Sequence, residues 1–434
     1  MKSTRTVPLP EALGAIRSGD HVFIHSVAAV PQTLINGLVD RAAELENIRL
    51  YHIHTEGAAR YAEARYEGVF HDYSFFIGSN VRQAVQENRA DYVPVLLSEL
   101  GSIFQSGVVP LDVALISVSP PDPDGYVSLG VSVDVSLAAL QSAKIVIAQV
   151  NKQLPRTYGD SVVHVSHIDF LVEHDEPLPI STYPNPNAEE LAVGAHLAAL
   201  IPDGATLQLG IGALPNAVLQ CLHHHRDLGI HTEMFSDGLI PLLQSGVVNN
   251  SRKVICPGVT VSSFLFGSKQ LYDFVDHNPA ILMKEMSWVN NPENIARNPQ
   301  VVAINSAIEI DLTGQVCADS IGERMHSGVG GQADFILGSA HSPGGFPIMA
   351  MTSRTRKNVS KIAPVLRPGA GVTVTRAHVH WVVTEYGAVN LYGKSLRERA
   401  QLLISIAHPE DRESLERAVA QRWSPVGQPV VAGQ

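Results

Sequence analysis

Residues 201–216 read IPDGATLQLGIGALPN, and residues 16–32 read IRSGDHVFIHSVAAVPQ. Written one above the other, Ile201-Pro202-Asp203-Gly204 falls on Ile16-Arg17-Ser18-Gly19. At the same offset the apolar Leu207–Leu209 falls on Val22–Ile24, and Ile211-Gly212-Ala213 on Ser26-Val27-Ala28. Pro215-Asn216 meets Pro31-Gln32 after one deletion. Each copy reads as a turn, a short apolar strand, a tight turn and a helix, the unit from which α/β folds with parallel sheets are built.

The match continues in the same order. His231-Thr232-Glu233 pairs with His54-Thr55-Glu56, and Val302–Ser306 (VAINS) with Val113–Ser117 (VALIS). Thr313-Gly314-Gln315-Val316 pairs with Asp124-Gly125-Tyr126-Val127. The expected fold is therefore α/β: two related domains from an internal duplication, residues 1–185 and 186–434, each with a mainly parallel sheet. The boundary is expected in the Pro/Asn-rich link Glu176–Asn187, EPLPISTYPNPN. Duplicated domains commonly leave a cleft between them, and that is where the active site is expected. Local patterns predict a helix over Leu9–Ile16, a helix over Pro31–Leu45 and a strand over Ile48–His54.

A length of 434 residues agrees with more than one domain, and 45% apolar with 17% charged residues is an ordinary soluble composition. A net charge of −11 argues against nucleic acid, whose phosphates call for a basic surface. The apolar runs are too short to span a bilayer, and no signal-peptide core opens the chain. Cys221, Cys256 and Cys317 are dispersed, which points to free thiols in a reducing cytoplasm.

The reactive candidate is Glu233 in HTEMFSDG, 231–238, between the glycine turn LQLGIG, 207–212, and SGVGGQ, 327–332. Glycine lets backbone N–H groups approach a ligand closely. Gly210-Ile211-Gly212 between strand and helix is an arrangement that presents N–H groups to an anion, although a tight βα turn alone also accounts for it. SGVGGQ also reads as a surface loop. Pro215 stands where a dinucleotide fingerprint has its third glycine, so NAD is not expected. His223-His224-His225 are consecutive, so on a helix they point in different directions at about 100° per residue, and HExxH is absent. No metal is expected there, and a solvated helix end before a Gly229 C-cap is the simpler reading. Absence of GxSxG and of a Walker A sequence argues against an α/β-hydrolase and a P-loop NTPase.

LQLGIGALPNAV (207–218), GIHTEMFSDG (229–238) and FGSKQLYDF (266–274) resemble the class I coenzyme A transferases. So do INSAIEIDLTGQV (304–316), ERMHSGVGGQADF (323–335), TEYGAVNLYGKSLRERAQLLISIAHP (384–409) and PPDPDGYVSLG (120–130). The resemblance is to the acetyl-CoA hydrolase/transferase branch, with its 4-hydroxybutyrate and butyryl-CoA:acetate CoA-transferases. It implies that coenzyme A moves between an acyl-CoA and a small carboxylic acid through a thioester on Glu233. It implies that Gln208, Leu209, Gly210, Ile211 and Gly212 cradle CoA, with Gly330 and Gly331 near the thioester carbonyl. Ile308 and Lys357 would touch CoA farther along. Asn290, or Asn291 beside it, would stand near the reacting carbonyl, Glu385 would be a second active-site carboxylate, and Ser26 would face the acyl group. It further implies a homodimer or higher homo-oligomer and no metal. An acetyl-CoA hydrolase using the same residues is the alternative. A non-catalytic CoA-binding protein is a further one, against which Glu233 and Glu385 together argue.

Overall fold

The computed structural model describes residues 4–181 and 184–423. Thr182 and Tyr183, inside the predicted link, lie outside the described residues. The first half is built on an eight-stranded sheet. Its strands are β1 (Arg5–Thr6), β2 (His21–Ile24), β3 (Ile48–His52), β4 (Phe70–Ser74), β5 (Ala90–Tyr92), β6 (Val113–Val118), β7 (Ile145–Val150) and β8 (Phe170–Glu173). Their order is β1-β8-β7-β6-β2-β3-β4-β5, and every neighbouring pair is parallel. VALISV of β6 is buried along its whole length. A strand covered on both faces calls for such a continuous apolar run rather than alternation.

The second half has six strands: β9 (Thr206–Leu209), β10 (Gly229–Ile230), β11 (Val301–Asn305), β12 (Phe346–Ala350), β13 (Trp381–Thr384) and β14 (Gly387–Asn390). They run β10-β9-β11-β12-β13-β14, parallel except for the closing β13–β14 hairpin. Thus β8-β7-β6-β2-β3 in the first sheet and β13-β12-β11-β9-β10 in the second follow one order. Register agrees as well: Val22 pairs with Val113, and Leu207 with Val302. Val27 (φ 55°) and Gly212 (φ 117°), at matched places, both turn the chain through positive φ. Only glycine does so without strain. The match of His54-Thr55-Glu56 with His231-Thr232-Glu233 is out of step, because Leu50 lies across from Val22 where Ile230 lies across from Leu207. The paired residues would therefore set Ile53, not Glu56, against Glu233. The two-residue β10 leaves its sheet sooner than β3 does.

Helices α1 (Leu9–Leu13) and α2 (Gln32–Asp40) are shorter than the predicted spans. A separate 3-10 turn, Ala42–Glu44, completes the second, and β3 ends at His52 rather than His54. Helix α3 (Leu97–Gln105), in the first half, packs against the short helix Met286–Val289 of the second. Glu176 in the link accepts the Gln32 N–H at 3.0 Å and the Thr33 hydroxyl at 2.9 Å, so the link is tied to the start of α2. Helix α4 (Ala188–Leu200) opens with a capping box between Asn187 and Glu190. Helix α5 (Ala213–Cys221) follows the glycine turn and ends at the Leu222 cap. The predicted Gly229 C-cap is instead in β10, and Asp227 (φ 55°) makes the left-handed turn before it. One apolar core, including Phe23, Val118, Leu207 and Ile304, runs through both halves.

Candidate active site

Glu233 sits where the chain leaves the second sheet. Lys253 Nζ donates to the carbonyls of Ile230 (2.8 Å) and Val259 (2.7 Å), and the Thr232 hydroxyl donates to the Leu209 carbonyl at 3.0 Å. Below it, buried His231 stacks on Trp288 and meets the Val289 carbonyl at 2.8 Å. Burial holds this imidazole neutral, with its pKa lowered to about 4. The N–H groups of Ser263 and Phe264 both donate to the Glu233 carbonyl, at 2.9 and 3.0 Å. The backbone bearing the carboxylate is therefore fixed from several sides.

The side chain meets two donors. Asn290 Nδ2 lies 3.1 Å from Oε2, and the Gly331 N–H also donates to the carboxylate. Asn290 caps the C-terminus of helix α6 (Met286–Val289). Gly331 precedes helix α7 (Gln332–His341). A Cβ at Gly331 would overlap both Glu233 Oε2 and Asn290 Nδ2, so this approach requires glycine. The loop is clamped by the first half. Arg82 Nε donates to the His326 carbonyl (2.7 Å), Ile77 N–H to the Ser327 carbonyl (3.2 Å), and Val329 N–H to the Tyr92 hydroxyl (3.0 Å). Gly328 and Gly330 rest on Phe76.

A cavity of about 210 Å³ opens in front of the carboxylate. The first half gives it Ile53, Phe76 and Leu97, and the second gives Ile211, Phe264 and Phe266. Its other polar groups are His54 and Glu56, 3.7 Å apart. His54 is neutral, its pKa lowered to about 4 by burial and then by neighbouring His52, while burial raises Glu56. Wider hollows of about 480, 610 and 440 Å³ lie elsewhere, but none of them is lined by Glu233. Cβ atoms built on Gly210 and Gly212 would meet no protein atom within 4 Å, so this turn faces open space.

Burial raises Glu233 from its ordinary 4.5 to about 7; the Asp334 charge adds to this, and the Asn290 and Gly331 hydrogen bonds oppose it. A carboxylate raised on folding disfavours the folded state once ionised. That cost is absent below pH 4.5 and complete above about 7. Glu233→Gln is therefore expected to raise stability at pH 8 by roughly 2 kcal/mol, discounted because the residue is only partly buried. At pH 4 the gain should vanish. Thermal unfolding at both values checks this, and equal gains at the two would contradict it.

Residues 4–181 match the acetyl-CoA hydrolase/transferase N-terminal domain, and residues 267–419 the C-terminal domain of the same name. The chain belongs to the acetyl-CoA hydrolase/transferase family. Glu233 lies between the two matched ranges, in a stretch that full-length relatives cover. A succinyl-CoA:acetate/propanoyl-CoA:succinate CoA transferase of Fasciola hepatica is 50% identical over 97% of this chain and 88% of its own. A 4-hydroxybutyrate coenzyme A transferase of Clostridium kluyveri is 47% identical over 93% of this chain and 94% of its own. The crystal structure of a 4-hydroxybutyrate CoA-transferase from Porphyromonas gingivalis superposes with TM-score 0.82 at 36% identity, covering 96% and 98% of the two chains.

Not every residue singled out by the family resemblance reaches this cavity. Ile211 does; Gly331 and Asn290 touch the Glu233 carboxylate without lining the cavity, and Gly330 rests on Phe76, which does. Asn291 instead caps the next helix, accepting the Glu293 N–H at 2.8 Å. Gln208 is buried in β9 with its amide paired to Asn305 at 2.9 Å, and Leu209 is buried beside it. Ser26 is wholly buried, its hydroxyl accepting the Ile53 N–H at 3.3 Å, so Ile53 rather than Ser26 faces the cavity. Glu385 follows β13, three strands from the glycine turn, or roughly 14 Å at ordinary strand spacing. Its oxygens accept the Ser353 N–H (2.8 Å) and hydroxyl (2.6 Å). Ile308 follows β11, and exposed Lys357 follows β12. The glycine turn, Ile308, Lys357 and Glu385 thus all follow the C-terminal ends of parallel strands, the edge where open α/β sheets bind ligands. Sequence reasoning missed Asp334, His54, Phe76, Phe264 and Phe266. Only the phenylalanines have the apolar character of a pocket, and nothing local separates them from core residues. Among the described residues no group of three or more His, Cys, Asp or Glu is arranged to hold a metal, and no helix is long and apolar enough to cross a membrane.

Proposed function

We propose that the protein is an acyl-CoA:carboxylate CoA-transferase working through a thioester on Glu233. The observation that carries this is a carboxylate held by Asn290 and the Gly331 N–H at the floor of an apolar cavity shared by both halves. Ionised Glu233 attacks the acyl-CoA carbonyl, giving an acyl-glutamyl anhydride and CoA thiolate. The thiolate attacks the glutamyl carbonyl, giving enzyme-bound glutamyl-CoA and free acid. An acceptor carboxylate then reverses both steps. N–H donors at Gly331 and the glycine turn would stabilise each oxyanion, at ~3 kcal/mol per donor. CoA would run along the C-terminal edge of the second sheet, past Gly210–Gly212 and Ile308 toward Lys357, with Glu385 farther along. We read residues 1–185 and 186–434 as duplicated domains with this site between them. The shared strand order and the β2–β6 and β9–β11 register support that reading. The protein is placed in the cytoplasm as a homodimer or higher homo-oligomer, a reading supported by free Cys221, Cys256 and Cys317 and by the family resemblance.

The lining favours transfer over acetyl-CoA hydrolysis, because apolar side chains keep water from the thioester. It also ranks the acids. Among the described residues no lysine or arginine lines the cavity, and Glu56 adds negative charge. A second carboxylate would be buried there unpaired. Butyrate and 4-hydroxybutyrate are therefore expected to outpace succinate as acceptors from acetyl-CoA, by at least about tenfold in kcat/KM. Glu56→Gln should narrow that gap while keeping butyrate turnover within about tenfold. Initial rates with each acid check both statements. CoA release at an undiminished rate without any acceptor would instead identify a hydrolase.

A further inference from the structure

The first half gives the cavity two polar side chains that do not meet. His54 Nε2 and Glu56 Oε1 stand 3.7 Å apart, too far for a hydrogen bond. The backbone beneath them is fixed on every side. The His54 carbonyl accepts the Val27 N–H at 2.8 Å, the Thr55 carbonyl accepts Asn80 Nδ2 at 2.9 Å, and the Glu56 carbonyl accepts Gln32 Nε2 at 2.7 Å. The Thr55 hydroxyl meets the Tyr61 hydroxyl at 2.9 Å. The His54 ring packs against Phe76 and Phe264, with ring centres 5.9 and 6.3 Å away. Buried against two aromatic rings, the imidazole is neutral and carries one hydrogen. His54 Nδ1 is buried without a partner, and a buried N–H without an acceptor is rare. The hydrogen therefore sits on Nε2, toward Glu56.

The gap thus offers one donor and one acceptor within an otherwise apolar wall. A methyl group would leave both unpaired. An ammonium has donors only and nothing for the Nε2 hydrogen, and a carboxylate would meet the Glu56 charge. A hydroxyl satisfies both, with its oxygen about 2.8 Å from each. We propose that His54 is a specificity-determining residue, which donates from Nε2 to a hydroxyl carried on the chain of the acyl group while Glu56 accepts that hydroxyl's hydrogen. The inference rests on the transferase reading. Glu233 belongs to the second half and this pair to the first, so an acid spanning the cavity presents its carboxylate to one and its chain to the other. The pair separates 4-hydroxybutyrate from butyrate, two acids that the apolar lining alone ranks together.

The test measures kcat/KM for 4-hydroxybutyrate, butyrate and 4-aminobutyrate as acceptors from acetyl-CoA, in the parent, His54→Phe and Glu56→Leu. The parent should use 4-hydroxybutyrate roughly tenfold better than butyrate, and 4-aminobutyrate worst of the three. His54→Phe keeps an aromatic ring against Phe76 and Phe264 but has no N–H. The ratio of 4-hydroxybutyrate to butyrate should fall to about one or below, whatever happens to both rates. Glu56→Leu removes the acceptor and should lower the ratio as well, which supplies the test if His54→Phe fails to fold. In the parent itself, 4-methoxybutyrate accepts a hydrogen bond but donates none, and it should lose most of the advantage. A parent ratio near one, a ratio unmoved in the folded variants, or a parent preference for 4-aminobutyrate overturns the role of His54. With CoA still passing to butyrate, those results leave the transferase reading standing. CoA release with transfer to none of these acids, or a trapped label away from Glu233, overturns that reading instead.

Discussion

Glu233→Gln is expected to lower CoA exchange on the order of 10⁴-fold while leaving acyl-CoA binding intact. The amide keeps the shape and still meets Asn290 and Gly331, but it has no electron pair able to attack a thioester. In the parent, acyl-CoA without an acceptor acid should leave CoA on this one side chain. A glutamyl thioester there would be shielded by Phe76, Phe264 and Phe266, so it should persist long enough to be captured. Borohydride reduces it and hydroxylamine converts it to a hydroxamate. Peptide mass mapping then places the label. Modification of Glu56 or Glu385 with Glu233 untouched would sink the proposed mechanism.

Gly331→Ala should be almost as damaging, for a different reason. The Gly331 backbone has φ −85°, which alanine adopts freely, so backbone strain is not the cause. The added methyl would occupy the space of the Glu233 carboxylate and the Asn290 amide. Either the nucleophile moves or the donor does, and a displacement near 1 Å costs about 10²-fold or more in turnover. Gly210→Ala is the contrasting variant. Its methyl enters open space, so the melting temperature should hold while KM for acyl-CoA rises. Rates and thermal melts on both variants check this. Equal KM effects at the two positions would mean that Gly331 acts through the ligand and not through Glu233.

Much of the fold was legible because its signals are local. A run such as Val113–Val118, apolar at every position but Ser117, reads as a strand covered on both faces. LQLGIGALPN reads as strand, glycine turn and helix wherever it occurs. The glutamate in HTE and the two glycine segments stood out for the same reason: residue type and near neighbours carry the message. Helix and strand ends were less legible, as at Leu13, His52 and Gly229, because chain termination depends on what packs above it.

The membership of the site is another matter. Glu233 and Asn290 are 57 positions apart, and Ser98 and Asp334 are 236 apart. Nothing near any of them in the chain announces the partner. Ser26 and Glu385, which motif resemblance placed beside the reaction, do not line the cavity. One is buried under Ile53 and the other is three strands along the sheet. By itself, the sequence determined that two parallel α/β halves form, that a glutamate follows a short strand in the second, and that glycines stand ready to approach it. Only the tertiary structure decided which groups meet that glutamate. Strand order and register set the distances between segments, and the packing of Phe75, Phe76 and Tyr92 against the loop at 327–331 sets where its N–H points. Those contacts are made between residues far apart in the chain, and their energies come from burial and hydrogen bonding that no local pattern encodes.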